Sequence, residues 1–574
     1  TMQPTSKKGT EKNVIAAVRF YIDKIVSDSS IIGMKALLLD NATTKVISMV
    51  YSQTQILEKE VYLVEQLGKP HDPMLHLKAA VFIQPTEANI DLLVKELQDP
   101  KFKEYHLFFS NIVSSDLLSK LGRMDEQELI MQVHEYYADY LAINEDFFHL
   151  GIPNSISLSS SMRNLESGQI LDRNVNGILS LLLSIKRRPS QIRYQFSSEV
   201  AKRLASDVLT HIEKEDSLFE FRRAATDSAG PLVLVLDRRD DPVTPLLTQW
   251  TYQAMVHELL GLHNNRVVLR GKPNVTKDLE EIVLSPTQDE FFARNRYANF
   301  GDLGSAVKQL LEDYQRSTKK TENISSIEDM QNFLLRFPEL RSKSINVSKH
   351  VAVLGELGRL TDVCQLLDIS QLEQEVACTN DHSAHKQKLL EKLRSPKVKL
   401  PDKLRLVLLF LLRYESYAEG PELKALLAEK GVTPQQLAAV DALLDYAGEA
   451  RRAPGLFSAG GLMSSFTRKL SSSINGVENV YTQHQPLLFY TLEAVAKNKL
   501  KDTAFPPLLA AASSQPPQPV SEVVVFMVGG ATFEEATKVA EFNAANPALR
   551  VILGGSCVHN SDSFLKEVLH VYAK

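Results

Sequence analysis

An unbroken apolar run, Leu-Val-Leu-Val-Leu, occupies residues 232–236 between Pro231 and Asp237. A run without polar interruption is typical of a parallel strand that is buried on both faces. Such a strand requires helices on both sides of its sheet, so this part of the chain is restricted to a layered α/β architecture. The run ends in a charged turn, Arg-Arg-Asp-Asp, at residues 238–241.

The N-terminal part of the chain has the same alternation of strands and helices. Four short apolar runs predict strands, at residues 36–39, 46–50, 79–83 and 107–109. One helical face is predicted by apolar residues spaced three and four apart, which are Ile90, Leu93, Val94 and Leu97. We therefore expect a first α/β domain at residues 13–142, after a flexible tail at residues 1–12.

The middle of the chain has a helical pattern. Residues 404–412 are apolar nearly all round, which predicts a buried helix. A helix start is predicted by a cap, a first-turn proline and a capping-box glutamine, which are Thr433, Pro434 and Gln436. Ser325 has the position of another cap, and we expect the helix that follows it to end at Pro338.

The α/β pattern returns near the C-terminus. Residues 506–521 hold five prolines and predict a linker without regular structure. Beyond them, strands are predicted at 523–528 and 551–553, and helices at 533–543 and 563–569. This return suggests that the helical block is an insertion. We expect an α/β domain 2 at residues 143–260 and 484–574, and a mostly helical domain 3 inserted at residues 261–483.

Composition excludes several classes of protein. Lysine and arginine number 65 against 70 aspartates and glutamates, so no basic excess indicates nucleic-acid binding. Three cysteines are too few for a disulfide framework or a four-cysteine zinc site. No apolar run approaches the ~20 residues that span a bilayer. We expect a soluble cytoplasmic protein whose membrane contact comes through partners or a surface patch.

Two patterns could hold a metal ion through carboxylates or histidines. His257 and His263 flank an acidic residue, but they lie six positions apart instead of the four that a zinc helix needs, which favours a partly exposed helix. Asp237, Asp240 and Asp241 could hold magnesium. The arginines between them favour a capped, salt-bridged turn instead.

Two further patterns have equally simple explanations. Glycine pairs follow two predicted strands, at 529–530 and 554–555, where a phosphate could bind. Neither pair has a dinucleotide or P-loop pattern, so a nucleotide-dependent α/β enzyme remains only the alternative. Cys378, Asp381 and His382 are types that bind metals, together with His385, but they have no second ligand pair. They favour a helix boundary that is capped by Asn380 or Asp381. We predict no metal and no cofactor.

The segment from the buried strand to Met255 resembles the signature of the Sec-one/Munc-eighteen (SM) family. It contains Asp-Arg-Arg-Asp-Asp-Pro at 237–242 and Gln-Trp-Thr-Tyr-Gln at 249–253. Further matches lie at residues 192–195, 347–350, 478–486 and 529–532. The runs at 249–253 and 481–485 are similar to the vacuolar-protein-sorting-forty-five branch of this family. The resemblance extends from about Asn13 to Lys574.

The resemblance implies an arch-shaped, three-domain SM fold of class α/β plus α: two parallel-sheet domains with a mostly helical insert in the second. It also implies a regulator, not an enzyme, that holds a syntaxin-sixteen-like t-SNARE and promotes SNARE complex assembly at endosome and trans-Golgi membranes. A vesicle SNARE and a rabenosyn-like tether are further implied partners, and membranes are reached only through partners. The alternatives are a nucleotide-dependent α/β enzyme and a tether or coat subunit without SNARE contact.

The resemblance also implies site residues. A pocket for the syntaxin N-terminal peptide would be formed by Leu117, Leu118, Leu121, Val133 and Glu135. The leucine spacing fits equally well the inner face of an ordinary helix. Lys45 and Glu65 match positions in the syntaxin-binding cleft, and residues 295–360 match a hairpin that contacts the vesicle SNARE. A structural role is implied for the signature residues Asp237, Arg238, Asp241, Pro242 and Pro245.

Overall fold

A computed structural model of the chain describes residues 13–159, 165–221, 230–273, 275–319, 327–457, 480–509 and 520–573. The tail predicted at residues 1–12 and the cap predicted at Ser325 lie outside these ranges. Within them, no helix combines the length and the apolar character needed to cross a bilayer.

The chain forms two compact units. The first comprises Thr1–Asp237, Ala494–Ala531 and Val539–Cys557. The second comprises Arg238–Glu493, Thr532–Lys538 and Val558–Lys574.

The strands are, in chain order, β1 (Lys35–Leu39), β2 (Val61–Gln66), β3 (Lys78–Ile83), β4 (Tyr105–Phe109), β5 (Ile130–Glu135), β6 (Leu141–Asn144), β7 (Phe147–His149), β8 (Gln191–Tyr194), β9 (Leu232–Asp237), β10 (Arg266–Val268), β11 (Glu281–Val283), β12 (Pro507–Leu509), β13 (Glu522–Val528), β14 (Ala531–Thr532), β15 (Arg550–Gly555) and β16 (Val558–His559).

The helices are, in chain order, α1 (Val14–Val26), α2 (Asn41–Val50), α3 (Gln53–Leu57), α4 (Glu87–Gln98), α5 (Ser115–Met124), α6 (Leu165–Ser184), α7 (Glu199–Lys214), α8 (Tyr252–Leu259), α9 (Glu290–Asn295), α10 (Phe300–Lys319), α11 (Ile327–Val363), α12 (Leu366–Cys378), α13 (His382–Arg394), α14 (Leu400–Arg413), α15 (Gly420–Glu429), α16 (Pro434–Ala447), α17 (Leu487–Ala496), α18 (Phe533–Ala545) and α19 (Ser561–Tyr572).

The first sheet is parallel and has the order β2-β1-β3-β4-β5. Three of the four predicted strands coincide with β1, β3 and β4, but the strand predicted at residues 46–50 is wrong, because these residues end helix α2. The Asp40 side chain accepts a hydrogen bond from the Thr43 backbone N–H at 2.7 Å and so caps this helix. This local cap outweighs the strand preference of the branched residues after it.

The second sheet has seven strands in the order β12-β8-β9-β13-β15-β7-β6. Strand β9 is fully buried and pairs in parallel with β13, so this sheet includes strands from widely separated parts of the chain. The prediction that residues 506–521 lack regular structure is wrong for β12, which pairs antiparallel with β8 at the edge of the sheet. Pro507 is tolerated there because an edge strand needs fewer backbone donors.

The second unit is mostly helical. Residues 403–412 of α14 are all buried, as predicted for the apolar run at 404–412. The predicted capping box at the start of α16 is present, since the Thr433 side chain accepts from the Gln436 N–H. The end predicted at Pro338 is wrong, because α11 continues through it to Val363. A proline removes one backbone hydrogen bond, and the remaining bonds of this 37-residue helix maintain it.

Candidate functional site

The α5–β5 surface is formed by one helix and one edge strand of the first sheet, and it carries the five residues predicted for peptide binding. Helix α5 begins after Ser114, whose side chain accepts a hydrogen bond from the Leu117 N–H at 3.3 Å. Strand β5 lies at the end of the sheet and pairs with β4. Val133 is the register partner of Leu107.

The helix and the strand place their apolar side chains on the same face of the sheet. Leu107 and Leu121 belong to one buried cluster, and Leu117 packs against it. Since register partners in a parallel sheet point to the same face, Val133 also lies on the α5 side. The structure therefore places the helix residues and Val133 of the predicted pocket on the same side of the sheet.

The five residues differ in exposure. Leu121 is 2% exposed and belongs to the core. For this leucine, the alternative of an ordinary inner helix face therefore holds. Leu118 and Val133 are 37% and 39% exposed. Leu118 and Val133 can therefore offer apolar surface to a partner without unfolding of the domain.

Glu135 is positioned by its neighbours at the end of β5. Its carboxylate accepts hydrogen bonds from the Val113 N–H at 2.8 Å and from the Tyr137 hydroxyl at 3.0 Å. Sequence reasoning missed Met131, which is 57% exposed on β5. Simple strand alternation does not assign its face, because the pairing of β5 with β4 shifts register here: Tyr105 pairs with Ile130 and His106 with Gln132, so Met131 has no register partner.

The two cleft residues lie on separate elements of the same sheet region. Lys45 is exposed on α2, and Glu65 is half-buried on β2, the edge strand opposite β5. Within the described ranges, neither side chain is held in an ion pair. Both charges are therefore available to a partner, and their role in syntaxin binding stays a prediction.

Lys45 influences a nearby histidine. Burial and, second, the positive charge of Lys45 lower the pKa of His149 from 6.5 to about 4. The ring is neutral at pH 7, and its Nδ1 accepts a hydrogen bond from the Gly151 N–H at 3.1 Å. Protonation at Nδ1 would remove this acceptor.

We expect the stability of this protein to fall as the pH drops from 6.5 towards 4. The unfolded chain binds a proton at His149 in this range while the folded chain does not, so acid favours unfolding. The shift corresponds to about 3 kcal/mol, and solvent around the half-buried ring should reduce it by about half. Urea unfolding at pH 7.5 and pH 5 measures the difference in free energy.

The matched variants for this pH test are His149→Gln and His211→Gln. His211 is exposed on α7, so its replacement should leave the pH dependence unchanged. His149→Gln should make the curve shallower between pH 6.5 and pH 4. Equal slopes for the wild type and His149→Gln would show that this histidine does not carry the effect.

The signature residues after β9 are buried. The Arg238 guanidinium lies 2.5 Å from a Glu535 carboxylate oxygen, and both side chains are 0% exposed. A second Arg238 nitrogen donates to the Asp241 carbonyl at 3.0 Å. Pro242 and Pro245 are buried beside them. This burial supports the predicted structural role.

The three aspartates considered for magnesium each accept hydrogen bonds from protein groups. Asp237 accepts from the Ser198 hydroxyl at 2.6 Å, and Asp240 from the Ala453 N–H at 3.0 Å. Asp241 accepts from the Thr244 N–H at 3.0 Å and from its hydroxyl at 2.6 Å. This arrangement favours the predicted structural turn over a metal site.

The remaining candidate motifs also have structural explanations. The helix predicted at His257 is present and ends at Leu259: His257 is buried, Glu258 and Leu259 are partly exposed, and His263 is exposed beyond the helix. Gly529 and Gly530 have φ angles of 80° and 95°, which a turn after β13 requires. At Gly554 a Cβ would lie 2.1 Å from the Phe148 ring. The predicted cap at Asp381 is confirmed, since its side chain accepts from the Ala384 N–H.

The chain has two mainly parallel sheets, a mostly helical unit and an exposed apolar edge. These features are typical of an α/β binding protein with helical additions. A sequence model of the Sec1 family matches residues 35–567. The chain therefore belongs to the Sec1 family, which confirms the predicted family.

Relatives in two organisms are similar over almost their whole length. The chain is 46% identical over 561 residues to vacuolar protein sorting-associated protein 45 of Rattus norvegicus, covering 97% of this chain and 96% of that protein. It is 33% identical over 587 residues to the protein of the same name from Saccharomyces cerevisiae, covering 97% and 99%.

Solved structures match the fold. "SM Protein Vps45 in Complex with Qa SNARE Tlg2" has a TM-score of 0.89 and 42% sequence identity, with 98% of each chain covered. "Structure of the SM protein Vps45" has a TM-score of 0.83 and 41% identity, covering 98% and 97%. The predicted fold class is thereby confirmed.

Proposed function

We propose that this protein binds a syntaxin-sixteen-like Qa-SNARE and promotes assembly of SNARE complexes for vesicle fusion at endosome and trans-Golgi membranes. The observation that carries the proposal is the solved complex of a 42% identical relative with the Qa SNARE Tlg2. In this function the protein is a peripheral component of these membranes, and a vesicle SNARE and a rabenosyn-like tether are further partners.

The α5–β5 surface is the proposed site for the N-terminal peptide of the SNARE. Leu118, Met131 and Val133 expose apolar side chains that a partner could cover. Covering apolar surface is favourable by about 25 cal/mol per Å². A short peptide bound here would hold the rest of the SNARE nearby, which raises the effective concentration of a second contact at Lys45 and Glu65.

The proposed activity is binding and alignment, with no covalent step. SNARE helices are amphipathic and gain order when a partner surface covers their apolar face. A protein that orders one helix in advance lowers the entropic barrier for the next. The glycine turns and the aspartate turn of this chain have structural roles, which gives the enzyme alternative less support.

The three predicted domains, at residues 13–142, at 143–260 with 484–574, and at 261–483, have different proposed roles. The first domain would bind the syntaxin. Helices α10 and α11 pack against each other within the segment proposed to contact the vesicle SNARE. Their packing supports a hairpin in this region.

Isothermal titration calorimetry with a panel of syntaxin cytoplasmic regions tests the proposed function. Each syntaxin is used with and without its first residues, and we expect tight binding to one class and weaker binding after truncation. Failure of every syntaxin to bind would contradict the SNARE role and favour a tether or coat subunit.

A thermal-shift screen with nucleotides and Mg²⁺ tests the enzyme alternative. A ligand at about 100 times its dissociation constant should stabilise the protein by about 2.7 kcal/mol. We expect no such shift, and a reproducible one would favour the enzyme.

A further inference from the structure

Residues 494–505, which are the last residues of helix α17 and the loop that follows it, are held against the end of strand β8 and are called the loop below. An Arg193 guanidinium nitrogen lies 2.5 Å from the Asp502 carboxylate. One residue after Gln195, the backbone N–H of Phe196 donates to the Ala504 carbonyl at 2.9 Å. Phe196 and the loop are therefore neighbours in space, although about 300 positions separate them in the sequence.

The loop has a defined backbone. Asn498 has a φ of 51°, and the Lys499 N–H donates to the Ala494 carbonyl at 2.7 Å. The Phe505 N–H donates to the Lys501 carbonyl at 2.9 Å. These bonds hold the loop residues in fixed positions.

The loop concentrates positive charge in a chain whose net charge is −5. Three lysines occupy alternate positions and are exposed: Lys497, Lys499 and Lys501. The single acidic residue of the loop, Asp502, is paired with Arg193. Lys499 and Lys501 form no ion pair with any residue that the structure describes.

An exposed aromatic residue is joined to the same loop by the backbone hydrogen bond from Phe196 to Ala504. Phe196 is 67% exposed, although its neighbours Gln195 and Ser198 are buried. Transfer of an apolar ring of this size out of water is favourable. Lysines beside an exposed phenylalanine are the side chains that proteins use at the interface of a membrane.

We propose that the surface formed by Phe196 and the loop at 494–505 binds directly to a membrane that contains anionic lipids. The lysines contact the headgroup region and the Phe196 ring enters the interface. The choice of a lipid surface over an acidic protein segment rests on the residue types. The loop has no arginine, the side chain that pairs carboxylates in a fixed two-pronged geometry, whereas lysine attracts an anionic surface as a point charge.

The proposed membrane contact can form without a SNARE. Where a SNARE is also bound, the two contacts act together. Each lysine near an anionic membrane contributes about a fivefold gain in affinity, and this gain falls with added salt. Three lysines and one ring give weak, reversible binding alone. Combined with a membrane-anchored partner, the same contact raises the residence time by the effective-concentration effect.

Vesicle co-sedimentation of the full chain tests this proposal without any SNARE. The probes are vesicles of phosphatidylcholine alone and vesicles in which about one third of the lipid is phosphatidylserine. We expect binding to the second type only, with a loss at high salt. The variant Lys499→Gln/Lys501→Gln should bind about 25-fold more weakly, and Phe196→Ser should also weaken binding.

Matched controls keep the test specific. Lys69→Gln/Lys103→Gln removes two exposed lysines of the same unit outside the loop, and Ile32→Ser removes an exposed apolar side chain that is 76% exposed. Both controls should bind as the wild type does. Equal losses in the loop variant and its control, or no binding of the wild type to anionic vesicles, would overturn the proposal. Binding to soluble polyglutamate but not to vesicles would assign the loop to an acidic protein partner and overturn it as well.

Discussion

Arg238→Met should lower the free energy of unfolding by about 3–5 kcal/mol, because it leaves the Glu535 carboxylate without its cation in the protein interior. Both side chains are fully buried and 2.5 Å apart. Burial raises the pKa of Glu535, and the Arg238 charge opposes part of that rise. Without the arginine, Glu535 must bind a proton or remain charged in an apolar environment. Urea unfolding followed by circular dichroism measures the loss.

The double variant Arg238→Met/Glu535→Met distinguishes an unpaired charge from simple loss of packing. The double variant no longer contains the unpaired Glu535 carboxylate, so it should be more stable than Arg238→Met alone. Both variants take from Asp241 the Arg238 charge that helps to lower its pKa, so this loss cancels in the comparison. Asp241 keeps its bonds from the Thr244 N–H and from the Leu487 N–H, so it remains satisfied. A double variant as unstable as the single one would contradict this explanation.

Leu118→Arg should weaken the binding of a syntaxin N-terminal peptide by about 30-fold or more, the size of effect found at central interface residues. The substitution places a charge on the apolar part of the α5–β5 surface, where a bound peptide would bury it without a partner. Leu118 is 37% exposed in the free protein, so the variant should fold normally. Calorimetry with the peptide gives the affinity.

The matched control for this substitution is Leu57→Arg. Leu57 is 41% exposed at the end of α3 and lies outside the α5–β5 surface. It should leave the affinity unchanged. If folded Leu118→Arg protein bound the peptide as tightly as the wild type, the assignment of the pocket would be wrong.

Local patterns were sufficient for most of the elements. The apolar run at 232–236 and the run at 404–412 are buried as a strand and as a helix, because continuous apolarity leaves no polar face for water. The cap at Thr433 depends on residues three apart and was equally accessible. The error at residues 46–50 arose because a helix cap outweighed the strand preference of branched residues. The error at Pro338 arose because a long helix continued through a residue that usually ends one.

The site could be predicted only in part. The resemblance to a family pointed to α5 and β5, but the spacing of Leu117, Leu118 and Leu121 did not tell which leucine is exposed. The structure decides this, because Leu121 packs into the core while Leu118 does not. Met131 was missed because it lies at an irregularity in the β4–β5 pairing, which no local pattern in the sequence marks.

The sequence alone determined the alternation of strands and helices, the burial of the longest apolar runs and the family. These depend on residues within about ten positions of each other, where periodicity and capping act. Only the tertiary structure decided that Arg238 meets Glu535, or that Phe196 lies beside the loop at 494–505. Such contacts join residues about 300 positions apart, and the chain must close that distance through the packing of whole elements before any local signal exists.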